Sequence, residues 1–289
     1  MFSGLTQSLL TCSIGDMRIG VFVMLSMVIG GCNTVPDGPV GPGGAGPLDD
    51  ADGVTPAVFS IEMRIISVEV PVGVASGSEK LWSYLDEERA KAVRDATMAQ
   101  NGIRLGVAPA DTWEDLVKVL QEMTGIKLGE TRKLTWPGHP LFIPLKTNQD
   151  RQTIFTKRRN LTHSTRDYPP GDNVLLINCS LNELDYNKLI IAGVPQIRST
   201  TKVPDIQNAG AGATITYEPE LFTLDACTFQ VMLTSGDILV LGPGVESRMP
   251  YSVGRQFLVN QKDGLECETL LVIMPTARKM ARKANTPPR

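Results

Sequence analysis

Thr228-Phe229-Gln230-Val231-Met232-Leu233-Thr234-Ser235-Gly236-Asp237-Ile238-Leu239-Val240-Leu241-Gly242 is the stretch that sets the fold class of this chain. Phe229, Val231 and Leu233 fall at every second position, with Cys227 in phase, which is the period of a half-buried strand. Ile238 to Leu241 is a second apolar strand, and Ser235-Gly236-Asp237 between the two has the composition of a tight turn. The arrangement predicts an antiparallel hairpin. Lys262-Asp263-Gly264 predicts another, leading into a strand over 265–274, and 255–259 reads as a further strand. Upstream, strands are expected over 141–146, 151–158, 173–178, 188–192, 196–202 and 213–218. No period repeats along the chain, which argues against a solenoid or propeller.

Before Pro137 the texture changes. Residues 58–70 alternate as one long strand. Ser78 caps an expected helix over 79–100, with Leu81, Leu85, Ala92 and Ala96 on one face and Asn101-Gly102 as its stop. A short strand over 103–107 follows. Asp111 and Glu114 have the spacing of a capping box for a helix to Thr124, with Trp113, Leu116, Val117 and Leu120 inward and Gly125 ending it. Residues 126–134 return as a strand. The predicted class is α+β: a small N-terminal α/β layer with two helices over 57–136, then a strand-rich, mainly antiparallel region over 137–275.

The N-terminal segment carries an address. Arg18 precedes an apolar run over 19–29, and Met27-Val28-Ile29-Gly30-Gly31-Cys32 ends it with two small residues and a thiol. The run falls short of the roughly 20 apolar residues that span a bilayer, and Gly30-Gly31 would end a buried helix. The pattern resembles the lipobox of bacterial lipoproteins, which implies a signal peptide over 1–31, cleavage before Cys32, and acyl chains, palmitate among them, on that cysteine. Met17 offers an alternative start that would remove Cys12. Residues 32–56 are rich in Pro and Gly and predict a disordered tether. Asn33 after the cysteine resembles the pattern sorted to the outer membrane, so the implied location is the cell envelope, facing periplasm or surface. At the other end Arg278, Lys279, Arg282, Lys283 and Arg289 make 276–289 a basic tail. It reads as a frayed solvated end, or as a contact for anionic headgroups. A net charge of -3 argues against a nucleic-acid partner.

Chemistry-bearing constellations are few. The histidines are His139, in a Pro-flanked turn, and His163, and with no Cys-x-x-Cys pair they spell no zinc site. Cys179, Cys227 and Cys267 read as buried free thiols, against one disulfide with a leftover. Glu266 with Glu268 and the cluster Asp86, Glu87 and Glu88 have the character of solvated surface, although paired carboxylates can serve glycoside hydrolysis. The glycine-rich run 208–213 lacks the Lys-Ser/Thr of a phosphate loop and reads as a flexible loop. No cofactor and no metal are expected.

The opening stretch, together with Glu268-Thr269-Leu270-Leu271-Val272-Ile273-Met274-Pro275, resembles the end of the secretin domain, the channel-forming domain of type II and type III secretion and of pilus systems. The residues that carry the likeness are Gly236, Leu241, Gly242 and Pro275. Pro250, Gly254 and Phe257 follow that family's Pro/Gly/Phe element with one extra residue after the proline, and Pro243-Gly244 replaces an expected second glycine. The chain is too short for the family's tandem ring-building domains. The resemblance implies a non-enzymatic, lipid-anchored envelope protein with a structural or assembly role linked to protein secretion. Its partners would be the membrane through Cys32, further copies of itself, or secretion-system proteins. The alternative readings are a monomeric module binding a protein or polysaccharide, and a carboxylate-dependent hydrolase.

Overall fold

The computed structural model describes residues 59–90, 95–125, 128–158, 162–209 and 212–280, all within the unit Thr55–Arg289. Met17, Cys32, the tether over 32–56 and the cations at 282, 283 and 289 lie outside the described residues. In chain order the first elements are β1 (Phe59–Pro71), α1 (Glu79–Trp82), α2 (Glu87–Ala90), α3 (Asp95–Gln100), β2 (Ile103–Ala108), α4 (Trp113–Thr124) and β3 (Thr131–Thr135). There follow β4 (Leu141–Gln149), β5 (Gln152–Lys157), β6 (His163–Tyr168), β7 (Gly171–Asn182), β8 (Asp185–Ala209), β9 (Gly212–Thr223) and β10 (Phe229–Thr234). The last are β11 (Ile238–Pro243), α5 (Val253–Leu258), β12 (Val259–Lys262) and β13 (Leu265–Lys279). The protein is strand-rich, its helices are short, and every ladder between named strands is antiparallel.

One sheet has the order β2-β11-β13-β1-β3 with β12 beside β13; a second has β10-β8-β7-β4 with β9 beside β8; β5 and β6 form a separate hairpin. The first sheet is built from both ends of the sequence: β1 and β13 pair from Phe59↔Lys279 to Pro71↔Cys267. The expected boundary at 136/137 therefore does not divide the chain into separate bodies, because β1, β2 and β3 share a sheet with β11, β12 and β13. Burial explains the pairing. Ile61, Met63 and Ile65 of β1 join Leu175, Ile177, Ile191 and Val231 of the second sheet in one apolar cluster. Ile66, Val68 and Val70 face the other way and join Leu81, Trp82, Leu116 and Leu120 from α1 and α4. The doublet Ile65-Ile66 shifts the alternation by one residue, which turns the buried side of the strand over.

The predicted hairpin over 228–242 does not form. β10 pairs with β8 in the second sheet, whereas β11 lies between β2 and β13 in the first, so residues 235–237 carry the chain from one sheet to the other. The two strands have different surroundings. β10 alternates buried and exposed residues, while all six residues of β11 are buried, as an apolar strand covered on both faces must be. The second predicted turn is a hairpin: Lys262 pairs with Leu265 across Asp263 and Gly264, both at positive φ, 51° and 79°.

Other expectations are corrected. The span 79–100 holds three helical segments, and between the first two Asp86 and Val107 exchange backbone hydrogen bonds of 2.7 and 3.1 Å that interrupt any continuous helix. Residues 91–94 lie outside the described set. The strand expected over 255–259 is mostly α5, because Ser252 accepts the Arg255 N–H at 3.2 Å and caps a helical turn. Asp111 falls in a short 3-10 turn before α4, so the capping box is not made, and Val119 rather than Val117 is buried with Leu116 and Leu120. Gly125 ends α4 in the left-handed conformation, φ 68°, as its position predicts. Cys227 lies in a 3-10 turn ahead of β10. The strands expected over 188–192 and 196–202 are one strand, β8, and β6 is additional. β13 continues past Pro275 to Lys279, so the first residues of the expected tail belong to the sheet.

Candidate functional site

Gly236 and Pro275, distant in sequence, are joined directly. Gly236 sits at φ 93°, where a side chain is disfavoured, and its N–H donates to the Pro275 carbonyl at 2.8 Å. The flanking residues fasten the same corner to both sheets. Ser235 N–H donates to Asn187 O at 2.8 Å, and Ser235 Oγ accepts from Ala277 N–H at 3.0 Å. Asp237, buried, accepts from Thr234 N–H at 2.9 Å and from the Arg89 guanidinium at 2.8 Å. The turn is thus a fixed crossing between layers.

Leu241 is paired on both sides, with Leu271 of β13 and Leu105 of β2. Gly242 is closely packed: a Cβ there would lie 2.4 Å from Leu270 Cδ2, the end of a side chain that would have to turn aside, and 3.2 Å from the Trp82 ring. Gly254 opens α5 against the Asn101-Gly102 turn, donating to Asn101 O at 2.8 Å, and a Cβ on it would lie 1.9 Å from Gly102 O. Phe257 is fully buried in the cluster between the sheets. Pro250 stands apart, exposed in the loop before α5. Asn101, read from sequence only as a helix stop, is a hub. Its Nδ2 donates to Thr97 O at 2.6 Å and Lys157 O at 2.8 Å, and its Oδ1 accepts from Lys157 N–H at 2.8 Å. An Asn-Gly pair after a helix is too common a signal to have disclosed that role.

The groups capable of chemistry are dispersed. Burial pushes the Cys179 and Cys227 thiols up to about 12, which keeps them protonated and inert, and Cys267 is half-buried. His139 occupies the turn before β4, and His163 stacks on Phe155 at 5.2 Å. Glu266 and Glu268 differ in environment, which corrects the surface reading of the pair. Glu266 is exposed and paired with Arg255, whereas Glu268 is fully buried. Its carboxylate accepts from Ala75 N–H and Ser76 N–H at 2.9 Å each and from Ser76 Oγ at 2.6 Å, tying down the loop after β1. Of the helical acids, Asp86 caps Arg89 N–H at 2.8 Å and Glu87 pairs with Arg104, which lies 4.0 Å over the Trp82 ring. Among the described residues no cluster of metal-ligating side chains forms.

Two surface features remain. β7 accompanies β8 only as far as Ser199, and beyond it residues 202–209 pair, among the described residues, with 212–219 of β9 alone, forming a two-stranded arm. The run 208–213 is the end of this arm, with 210–211 outside the described residues. Ile215 and Tyr217 lie two residues apart on the arm's β9 strand and are 57% and 65% exposed, an apolar stripe that the described residues leave open. Leu221, 47% exposed, follows at the base of the arm where β9 pairs with Arg198. Elsewhere, a cleft of about 760 Å³ opens between the β5–β6 hairpin and the 3-10 turn before β10. Arg158, Arg166, Ser164, Thr165, Tyr168 and Asp225 line it, with Arg166 stacked 5.3 Å from the Tyr168 ring and 5.1 Å from Phe222.

No family model and no curated protein sequence matches this chain. Its distant structural neighbours include secretins. The V. cholerae type IV competence pilus secretin PilQ is 11% identical over 77% of this chain and 61% of that one, with a TM-score of 0.23. The InvG secretin-domain β-barrel of the Salmonella SPI-1 injectisome is 8% identical over 80% of this chain and 65% of that one, with a TM-score of 0.20. The chain thus spans less than two-thirds of either neighbour.

Proposed function

We propose that this protein is a non-enzymatic, secretin-like structural or assembly component of a bacterial envelope, linked to protein secretion and anchored by lipid at Cys32. The observation that carries the reading is the β8–β9 arm. A two-stranded ribbon is marginally stable alone, and this one bears Ile215 and Tyr217 on an open face, with exposed Leu221 at its base. Such a stripe gains by burial against another protein surface, and copies of the same chain supply one through the same arm. Detergent extracts of membranes should contain multimers that resist sodium dodecyl sulfate. The double variant Ile215→Asp/Tyr217→Asp should fold, by its circular dichroism, yet run as a monomer. Wild-type protein that stays monomeric across a wide concentration range would refute the assembly reading. Mass analysis of the mature N-terminus tests the anchor separately, since an unmodified Met1 or Met17 would overturn it.

The cleft at Arg158, Arg166 and Tyr168 favours the second reading, a monomeric envelope module. Two guanidiniums, hydroxyls and an aromatic face suit an acidic polysaccharide or peptide. A monomer that retains an acidic glycan on a column, and loses it on Arg166→Ala, would establish this reading in place of the first.

A further inference from the structure

β4 is bulged between Pro144 and Lys146 and again between Lys146 and Gln149, and Asn148 within the second irregularity has φ 52°. Bulges re-aim a side chain, and non-glycine residues held at positive φ cluster at functional sites. Here the irregular backbone is secured by Asp172, whose Oδ1 accepts from Asn148 N–H at 2.8 Å. Lys146 is thereby placed at the wall of a cavity of about 310 Å³, shared with Gln149, Arg255, Asn260, Gln261 and Glu266.

The charges at this cavity do not balance. Lys146 Nζ donates to Arg255 O at 3.1 Å, one hydrogen bond for an ammonium that has three donors. The Arg255 guanidinium is paired with Glu266, so two cations share one carboxylate. Burial, and then the neighbouring Arg255, lower the Lys146 pKa to about 8, with Glu266 opposing only in part. We propose that this cavity binds a phosphate-class oxyanion between Lys146 and the Arg255 guanidinium, with the Gln261 amide as a neutral donor beside the second N–H of Gln149 and of Asn260. The first N–H groups of Gln149 and Asn260 donate to Thr147 O at 2.7 Å and Thr269 Oγ1 at 3.1 Å. A phosphoryl group offers more acceptor oxygens than a carboxylate and so matches two cations surrounded by three amides. The volume sits at the small end of ligand pockets, which run from about 300 to 1,000 Å³. That suits a phosphate monoester or a phosphodiester headgroup.

The test is acylation of the full chain at pH 8 by a succinimidyl ester, read at Lys146 by mass spectrometry. It is run at constant ionic strength with sodium chloride, with inorganic phosphate, with phosphatidylglycerol vesicles, and with vesicles of an uncharged glycolipid. A bound oxyanion holds the ammonium protonated, so phosphate should slow labelling of Lys146 about five-fold, the change in neutral amine for roughly one unit of pKa. Exposed Lys118 should be unaffected, and Arg255→Gln should abolish the protection. Protection by inorganic phosphate assigns a soluble phosphate compound, and protection by phosphatidylglycerol alone assigns a lipid headgroup. Equal labelling in all four conditions, or equal slowing by chloride or by the uncharged vesicles, overturns the site. The wild-type comparison decides the matter even if the variant misfolds.

Discussion

Gly254 shows how tightly single positions are specified. A methyl group there would overlap the carbonyl oxygen of Gly102, a backbone atom that cannot swing aside. Gly254→Ala should therefore cost about 1–3 kcal/mol, as overpacking does elsewhere, and lower the urea midpoint. A change below about 0.5 kcal/mol would show that α5 can shift freely. Lys146 makes a second prediction at this scale. Its folded pKa of about 8 lies below the value of about 10.4 of an unfolded lysine, so the unfolded chain binds more protons between those limits. In phosphate-free buffer this group should add stability as pH rises through 8 towards 10, and impose a constant penalty below 8. Lys146→Met should be the more stable form at pH 7, with the gap closing by pH 10. A constant gap across that range would count against the lowered pKa. Neither property is legible in the sequence: a glycine's neighbours and a lysine's missing counter-charge are set by distant segments.

Elements are legible where one pattern outweighs the rest. The alternation over residues 58–70 gives β1, and its Ile65-Ile66 doublet records the change of buried face. Gly125 gives the end of α4 because only its own backbone is involved. The turn at 235–237 has the composition of a hairpin, but the strands beside it differ, alternating in β10 and continuously apolar in β11. That contrast marks a crossing between sheets. α5, at six residues, is too short to show a helical period, and its Val253, Phe257 and Leu258 also suit a strand. The β8–β9 arm could not be foreseen from two separate apolar runs and a glycine-rich segment. Its amides over 202–209 and 212–219, with one ladder between them, should exchange with solvent much faster than those of 189–193, which lie between β7 and β10. Multimer formation should slow the arm selectively. Uniform slowing, or none, would place the contact elsewhere.

At the scale of the molecule, strand-rich and mainly antiparallel is the correct class, but an N-terminal layer followed by a C-terminal layer is not the correct partition. Sequence order suggests two consecutive bodies, since hydrophobic period reports which face of a strand is buried and says nothing of its partner. The sheets are interleaved because β1 finds β13, and β2 finds β11, across most of the chain. Gly236 meets Pro275 through a crossing between sheets rather than through a hairpin.

The β1–β13 pair also bears on time. β13, the strand in the middle of the first sheet, pairs with β1 from Phe59↔Lys279 to Pro71↔Cys267, so the sheet cannot close until both of these distant segments are present. Contacts this remote in sequence form slowly, because a long loop must be closed before they repay its entropy. Until residue 279 is available, β1 has β3 on one edge and bare backbone on the other. A chain of this design keeps its first sheet open until those two segments meet, so a cut anywhere between them should leave neither fragment able to complete the sheet alone.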